Sequence, residues 1–168
     1  EAHIAAMKKA YAGVFEFELE AEIMAVFMRH GARSPAYPSI VGGGENACIL
    51  HYTDNKDRVA DGELVLIDAG AEYGCYAADI TRTFPVNGSF TAEQKALYEI
   101  VLLAQQAAIE KVKQYNNWDE PHSAALLVIV EGLKDLGILS GTTEEIIDTE
   151  IYKKFFMHKT GHWLGLDV

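Results

Sequence analysis

The sequence has 168 residues, of which 49% are hydrophobic and 23% are charged. This length and composition predict about one folded domain with a core of its own, and they exclude a disordered segment, a collagen-like repeat and a coiled coil. Lysine and arginine number 14 against 25 aspartates and glutamates, a formal net charge of −11. That excess argues against nucleic acid as a partner, because a polyanion would be repelled.

The apolar runs, the cysteines and the two chain termini indicate the cellular location of the protein and whether the chain is a part of a longer one. The longest apolar run, 124–130, is far shorter than the ~20 residues that a membrane-spanning helix needs, so we expect no membrane association. Two isolated cysteines are too few for a disulfide framework and favour a reducing, cytoplasmic location. The chain begins inside a helical pattern at Glu1 and stops inside an apolar run at Val168, so we expect a piece of a longer protein.

Helical spacing of apolar residues predicts two amphipathic helices before Gly31, which ends the second of them. The periodic positions are Ile4, Met7, Tyr11 and Val14 in the first helix and Leu19, Ile23, Val26, Phe27 and His30 in the second. Two short segments rich in Ile, Leu and Val, 47–52 and 64–68, are separated by polar turn residues and are predicted to be strands.

Three more helices are predicted in the second half of the chain, two of which open with a capping box. An extended segment is expected after them. This order predicts an α+β fold in which helices pack on a mostly antiparallel sheet. The expected bounds are 91 to about 113, 119 to about 137 and 142 to about 152 for the helices, and 153–168 for the extended segment.

The segment 64–84 contains two aspartates in apolar surroundings, Asp68 at the end of a predicted strand and Asp79 between two apolar residues. If the segment is a hairpin that turns at Tyr73 and Gly74, the two aspartates are opposed across the strands, ~5 Å apart and on one face. Two such carboxylates repel each other unless a proton or a cation lies between them, and a bound metal would remove the conflict. The alternative is that both face solvent on an edge hairpin, as most aspartates do.

His158 and His162 are four residues apart, the spacing of two zinc ligands on one helix face. Lys159 stands where that zinc motif has a glutamate, and Gly161 weakens a helix, so a strand or loop is predicted instead. His162 is then either a metal-ligating imidazole or a hydrogen-bonded core histidine. His51, at the end of an apolar predicted strand, has the same two interpretations.

Four features together resemble the pita-bread metallopeptidases, and within that family the aminopeptidase P, or Xaa-Pro aminopeptidase, group. They are the aspartates Asp68 and Asp79 and the segments GENACILHY (44–52), TRTFPVNG (81–88) and HWLGLDV (162–168). The resemblance extends with few gaps from about Met7 to Val168. It implies the pita-bread (creatinase/aminopeptidase) fold, a mostly antiparallel sheet covered by helices. Residues 1–168 would be a truncated part of the catalytic domain, without the family's N-terminal domain and the last third of the catalytic domain.

The resemblance implies a dinuclear metal-dependent aminopeptidase that hydrolyses the bond between an N-terminal residue and a proline. The expected partners are peptides with proline at the second position. The expected cofactors are two divalent ions, most of all Mn²⁺, bound by Asp68, by a bridging Asp79 and by His162. Oxygen-rich ligation with one imidazole suits such ions. His51 and His158 match histidines that hold the peptide and stabilise the tetrahedral intermediate.

The sequence departs from the family at Lys159, where a small residue is usual. The family's other metal ligands, two glutamates, and a further histidine come after the position of Val168. The chain by itself is therefore expected to be inactive, and uncovered sheet edges would favour a homo-oligomer.

Two alternatives remain open. Prolidase has the same fold and metals but cleaves dipeptides, although the segment RHGAR (29–33) and His162 with Trp163 look more like aminopeptidase P. The other alternative is a non-catalytic pita-bread module that binds peptides, against which the presence of Asp68, Asp79 and His162 argues.

Overall fold

The computed structural model describes all of residues 1–168. The chain forms two units, the first made of 1–91 with 163–168 and the second of 92–162. The helices are α1 (Ala2–Lys9), α2 (Glu16–Arg29), α3 (Ala92–Glu110), α4 (Glu120–Asp135) and α5 (Thr143–Asp148), with 3₁₀ helices at Gly44–Cys48 and Ile151–Lys154. The strands are β1 (Ser34–Pro35), β2 (Ile40–Gly43), β3 (Leu64–Asp68), β4 (Ala71–Tyr73), β5 (Tyr76–Ala77) and β6 (Thr81–Pro85). No helix combines the length and apolarity that crossing a bilayer would take.

The first unit contains two three-stranded sheets, in the orders β1-β4-β5 and β2-β3-β6. Every strand pair is antiparallel, so the predicted α+β class with antiparallel sheets is confirmed. Successive side chains of a strand point to opposite faces. Val65 and Ile67 are accordingly buried in a core that includes Leu19 and Ile23 of α2, whereas Asp68 points to the other face of β3.

The second helix forms where the sequence predicts it. The first is shorter than predicted, because α1 ends at Lys9 and leaves Tyr11 and Val14 outside it, and its buried face is not the predicted one. Ile4 is 56% exposed, whereas Ala2 and Ala6 are buried. Small side chains let α1 approach α2 closely, so alanine occupies the contact and the larger residue faces outward. Gly31 follows α2 with a φ of 89°, as a helix-ending glycine does.

The hairpin that carries both aspartates turns one residue later than predicted. Tyr73 pairs with Tyr76, so the two turn residues are Gly74 and Cys75. Their φ angles are 59° and 69°, the positive values that a two-residue type I′ turn requires at both positions. Backbone twist at the turn therefore sets the register of the hairpin.

That register places Asp68 opposite Thr81, and the prediction that it lies opposite Asp79 is wrong. Continuing the pairing brings Asp79 opposite Gly70, diagonally across from Asp68. A displacement by two residues leaves a side chain on the same face of a sheet. The two aspartates therefore share one face of the hairpin.

Two predicted strands are not strands. Residues 47–52 contain the end of the 3₁₀ helix Gly44–Cys48 and the turn that follows it, and 153–168 form no strand. A short apolar run cannot by itself distinguish a strand from a helical turn, and here the tertiary structure selects the turn.

The second unit has its own core, built between α3, α4 and α5. The buried face of α3 consists of Ala104 and Ala108, whereas Val101 is 59% exposed. The bounds of α4 agree with the prediction. The capping box of α5 is present, because the Thr142 hydroxyl accepts from the backbone N–H of Glu145 and the Glu145 carboxylate accepts from the backbone N–H of Thr142. The helix nevertheless ends at Asp148, before the predicted end.

We expect Gly70→Ala to destabilise the first unit by about 3 kcal/mol. A Cβ at position 70 would lie 1.5 Å from the carbonyl oxygen of Ala78, and backbone atoms of a paired hairpin cannot move away cheaply. Gly165→Ala is the matched control, because a Cβ there meets nothing within 4 Å. Urea unfolding monitored by circular dichroism measures both variants, and an equal loss of unfolding free energy would contradict the steric argument.

Candidate active site

Asp68 and Asp79 are brought together by the hydroxyl group of Tyr37, which belongs to the segment between β1 and β2. The hydroxyl oxygen lies 2.5 Å from Asp68 Oδ1 and 3.0 Å from Asp79 Oδ1. Both aspartates are partly buried. The two carboxylates thus converge on one point, through an intervening tyrosine rather than as directly opposed residues.

The hydroxyl of Tyr37 cannot neutralise both carboxylates. It carries one proton, so that when it donates to one aspartate the other meets an oxygen lone pair. Burial, followed by the hydrogen bond and the negative charge of Asp68, holds the pKa of Tyr37 well above its ordinary value of 10.0, and Asp79 acts in the same direction. Tyr37 therefore stays a proton donor. Two carboxylates that share one hydroxyl favour a cation at this point.

The donor set of this pair fits a divalent cation, since carboxylate oxygens are hard ligands of the kind that Mn²⁺ takes. The pair is not a complete metal site by itself. No three His, Cys, Asp or Glu side chains come together anywhere in residues 1–168 as a metal-binding group. The structure therefore joins two of the predicted ligands, Asp68 and Asp79.

The two candidate histidines near the C-terminus, His158 and His162, lie in the second unit after its 3₁₀ helix. Nδ1 of His158 lies 2.8 Å from the carbonyl oxygen of Lys159, and its ring is tilted toward Phe156 with the centroids 6.4 Å apart. Both histidines are exposed in this chain. The metal-binding role of His162 and the substrate-binding role of His158 stay predictions.

His51 lies in the turn after the first 3₁₀ helix rather than at the end of a strand. Its side chain is exposed in this chain. Its φ is 56°, in the left-handed region that costs a residue with a side chain about 1–2 kcal/mol. Neighbouring residues must therefore hold this backbone conformation in place. The role of His51 in binding a peptide stays a prediction.

The residue next to His51 belongs to a hydrogen-bonded network around a buried glutamate. Glu16, the first residue of α2, has no exposed surface. Its Oε1 accepts from the backbone N–H of Gly43 at 2.8 Å and from the side-chain amide of Asn46 at 3.0 Å. Its Oε2 accepts from the hydroxyl of Tyr52 at 2.7 Å and from the backbone N–H of Asp57 at 2.9 Å. Four donors thus compensate the burial of one negative charge.

Sequence analysis missed both Glu16 and Tyr37. Glu16 does carry a signal, because helical spacing places it on the same face as Leu19 and Ile23, where an acidic residue must find buried partners. Tyr37 stands between two prolines before a short strand, and no periodic pattern marks it. Only the folded arrangement brings its hydroxyl to the aspartates.

A cavity of about 350 Å³ in the first unit is distinct from the carboxylate pair. Its lining is mostly apolar, includes His3 and His30, and does not include Asp68 or Asp79. The Nε2 atom of His3 is already engaged with the carbonyl oxygen of Ile80 at 2.8 Å. The cavity is therefore not where we place the chemistry.

Comparison with known proteins finds matches over the whole chain. Residues 1–168 match the family model described as metallopeptidase family M24. The chain is similar to the Xaa-Pro aminopeptidases of Haemophilus influenzae and Escherichia coli, with 51% identity over 166 and 167 residues, or 99% of this chain in each case. It covers 39% and 38% of those two proteins, so it spans less than two fifths of their length.

Solved structures agree with the sequence relatives. The chain superposes on the Pseudomonas aeruginosa aminopeptidase PepP with a TM-score of 0.98 and 54% identity, over 99% of this chain and 38% of that one. It superposes on a Zn-substituted Escherichia coli aminopeptidase P in complex with product with a TM-score of 0.97 and 51% identity, over 99% and 38%.

We expect Tyr37→Phe to weaken the binding of a divalent cation to the complete protein, with Mn²⁺ as the probe, by about 10- to 100-fold, because the hydroxyl donates to one carboxylate of the pair and orients it. Titration calorimetry measures the dissociation constant directly. Tyr73→Phe is the matched control, since Tyr73 is 68% exposed on β4. Unchanged affinity in Tyr37→Phe would show that the carboxylates do not depend on the hydroxyl.

We also expect Tyr52 to make the stability of the fold sensitive to alkaline pH. Burial and then the hydrogen bond to Glu16 raise the pKa of Tyr52 from 10.0 to about 12. Because the folded state holds the proton more tightly, this contribution is complete below pH 10 and is lost as the pH rises toward 12. Urea unfolding of wild type and Tyr52→Phe across this range tests the expectation. The variant should lose less stability with rising pH, and parallel curves would refute it.

Proposed function

Because the chain belongs to metallopeptidase family M24, we propose that its parent protein is an Xaa-Pro aminopeptidase, which removes the N-terminal residue from peptides with proline in the second position. The observation that carries the proposal is the convergence of Asp68 and Asp79 on one point, since paired carboxylates suit a metal-dependent hydrolase. The similarity to proteins named Xaa-Pro aminopeptidase supports the substrate class.

Asp68, Asp79 and His162 would hold the divalent ions. When bound, divalent ions polarise the scissile carbonyl and acidify the attacking water. The chain's own contribution is to direct the two carboxylates at one point, with Tyr37 donating a hydrogen bond that orients one of them. His51 and His158 are exposed and are assigned the donation of N–H groups to the substrate, where they would stabilise negative charge on the carbonyl oxygen.

The finer parts of the proposal rest on chemistry and on the family. Carboxylate ligands favour Mn²⁺, and a pair of ions needs further bridging carboxylates beyond the two of this chain. Residues 1–168 are proposed to be part of the catalytic domain. A cytoplasmic location is proposed because Cys48 and Cys75 are both free and exposed, which suits a reducing compartment.

The substrate class is tested with the complete protein and Mn²⁺. A tripeptide and a dipeptide, each with proline in the second position, are compared with a tripeptide that has alanine there. Release of the first residue from the proline tripeptide alone is the expected result. Cleavage of the dipeptide alone would identify a prolidase, and binding without cleavage would identify a peptide-binding module.

We expect Asp79→Asn in the complete protein to lower kcat/KM for the proline tripeptide by more than about 100-fold, because it removes one charge from the proposed bridging ligand. His51→Ala should lower turnover by about 100-fold while leaving the metal content unchanged. Turnover and metal content by mass spectrometry are measured together. Asp135→Asn, exposed at the end of α4, is the control, and normal activity of Asp79→Asn would refute the assignment.

A further inference from the structure

The four donors of the Glu16 carboxylate come from one stretch of chain. Gly43 ends β2, Asn46 lies in the first 3₁₀ helix, and Tyr52 and Asp57 follow the turn. The stretch 43–57, which we name the His51 loop, is therefore fastened at both ends and in its middle to a single side chain on α2.

We propose that Glu16 is a positioning residue, whose buried carboxylate fastens the His51 loop so that the imidazole of His51 is held where a peptide substrate binds. The proposal rests on the role of His51 in the proposed function. Glu16 itself touches neither substrate nor metal in this account.

The point nearest to the histidine is Tyr52. Its ring is buried and its hydroxyl donates to Glu16 at 2.7 Å, which fixes the residue directly after His51. His51 itself has a left-handed backbone with a φ of 56°. A residue with a side chain relaxes out of this region unless the structure on either side determines it. The bonds from Asn46 and Tyr52 to one carboxylate supply that constraint.

A carboxylate is required at position 16, because each of its oxygens accepts two hydrogen bonds. A glutamine has nearly the same shape, but one of its two positions is an NH₂ group, which cannot accept. Whichever way the amide is turned, two donors of the His51 loop would face another donor. Glu16→Gln should therefore release one half of the attachment without creating a cavity.

The test is a double-mutant cycle in the complete protein with the proline tripeptide and Mn²⁺. Tyr52→Phe removes the hydroxyl and keeps the ring, and we expect it to lower kcat by about 10-fold with little change in KM. In the His51→Ala background the same substitution should change kcat by less than about twofold, because its effect passes through His51. Glu16→Gln should behave in the same way with a larger loss.

The control for a general loss of stability is Thr142→Ala, which removes the cap of α5 in the second unit and costs about 1 kcal/mol. It should leave kcat unchanged in both backgrounds. If Tyr52→Phe lowers kcat equally with and without His51, or lowers only the melting temperature as Thr142→Ala does, the positioning role is wrong. The Tyr52 variant keeps the test decisive if Glu16→Gln does not fold.

A second readout does not depend on peptidase activity. Limited proteolysis of the native protein measures how often the His51 loop opens, and Tyr52→Phe and Glu16→Gln should both speed cleavage within 43–57 while Thr142→Ala should not. If the wild-type protein cleaves no proline peptide, the proposed function fails, and faster proteolysis alone then supports the attachment of the loop. Equal cleavage rates in wild type and variants would overturn the inference.

Discussion

The candidate site depends on the placement of Asp68 and Asp79 on one face of a hairpin, against the repulsion between their charges. The placement follows from β3, whose alternate side chains Val65 and Ile67 are buried beneath it. Because Val65 and Ile67 are held in the core, the side chain of Asp68 must point to the opposite face of β3, where Asp79 also lies. The type I′ turn at the end of the hairpin then determines which residue lies across from Asp68.

Two carboxylate sites in the same unit solve opposite problems. Glu16 is fully buried and has four donors, so its charge is compensated by the protein alone and serves structure. Asp68 and Asp79 share the hydroxyl of Tyr37, which carries one proton for two carboxylates. Closely placed like charges of this kind suit a cation site, whereas a buried carboxylate with four donors serves structure.

Much of the fold could be predicted because it depends on periodic patterns. The second helix, the strand 64–68, the helix α4 and the cap at Thr142 all follow local rules, and the motif resemblance identifies the family. The errors arose where local patterns do not decide. The apolar run 47–52 became a helical turn because the His51 loop is fastened to Glu16, a contact distant in sequence. The predicted hairpin register differs from the observed one because the residue type at Cys75 does not indicate its positive φ.

The two aspartates share one face of the hairpin, as the sequence predicts, although the predicted register is wrong. When the turn of a hairpin moves by one residue, the cross-strand partner of each residue changes by two positions. A change of two positions keeps the partner side chain on the same face of the sheet. Asp79 therefore lies diagonally across from Asp68 rather than directly opposite it, and both side chains stay on the same face. The hydroxyl of Tyr37 lies between the two carboxylates and contacts both. The two carboxylates therefore converge for two reasons. Their positions in the hairpin put them on the same face, and a third side chain, Tyr37, which no sequence pattern marks, lies between them.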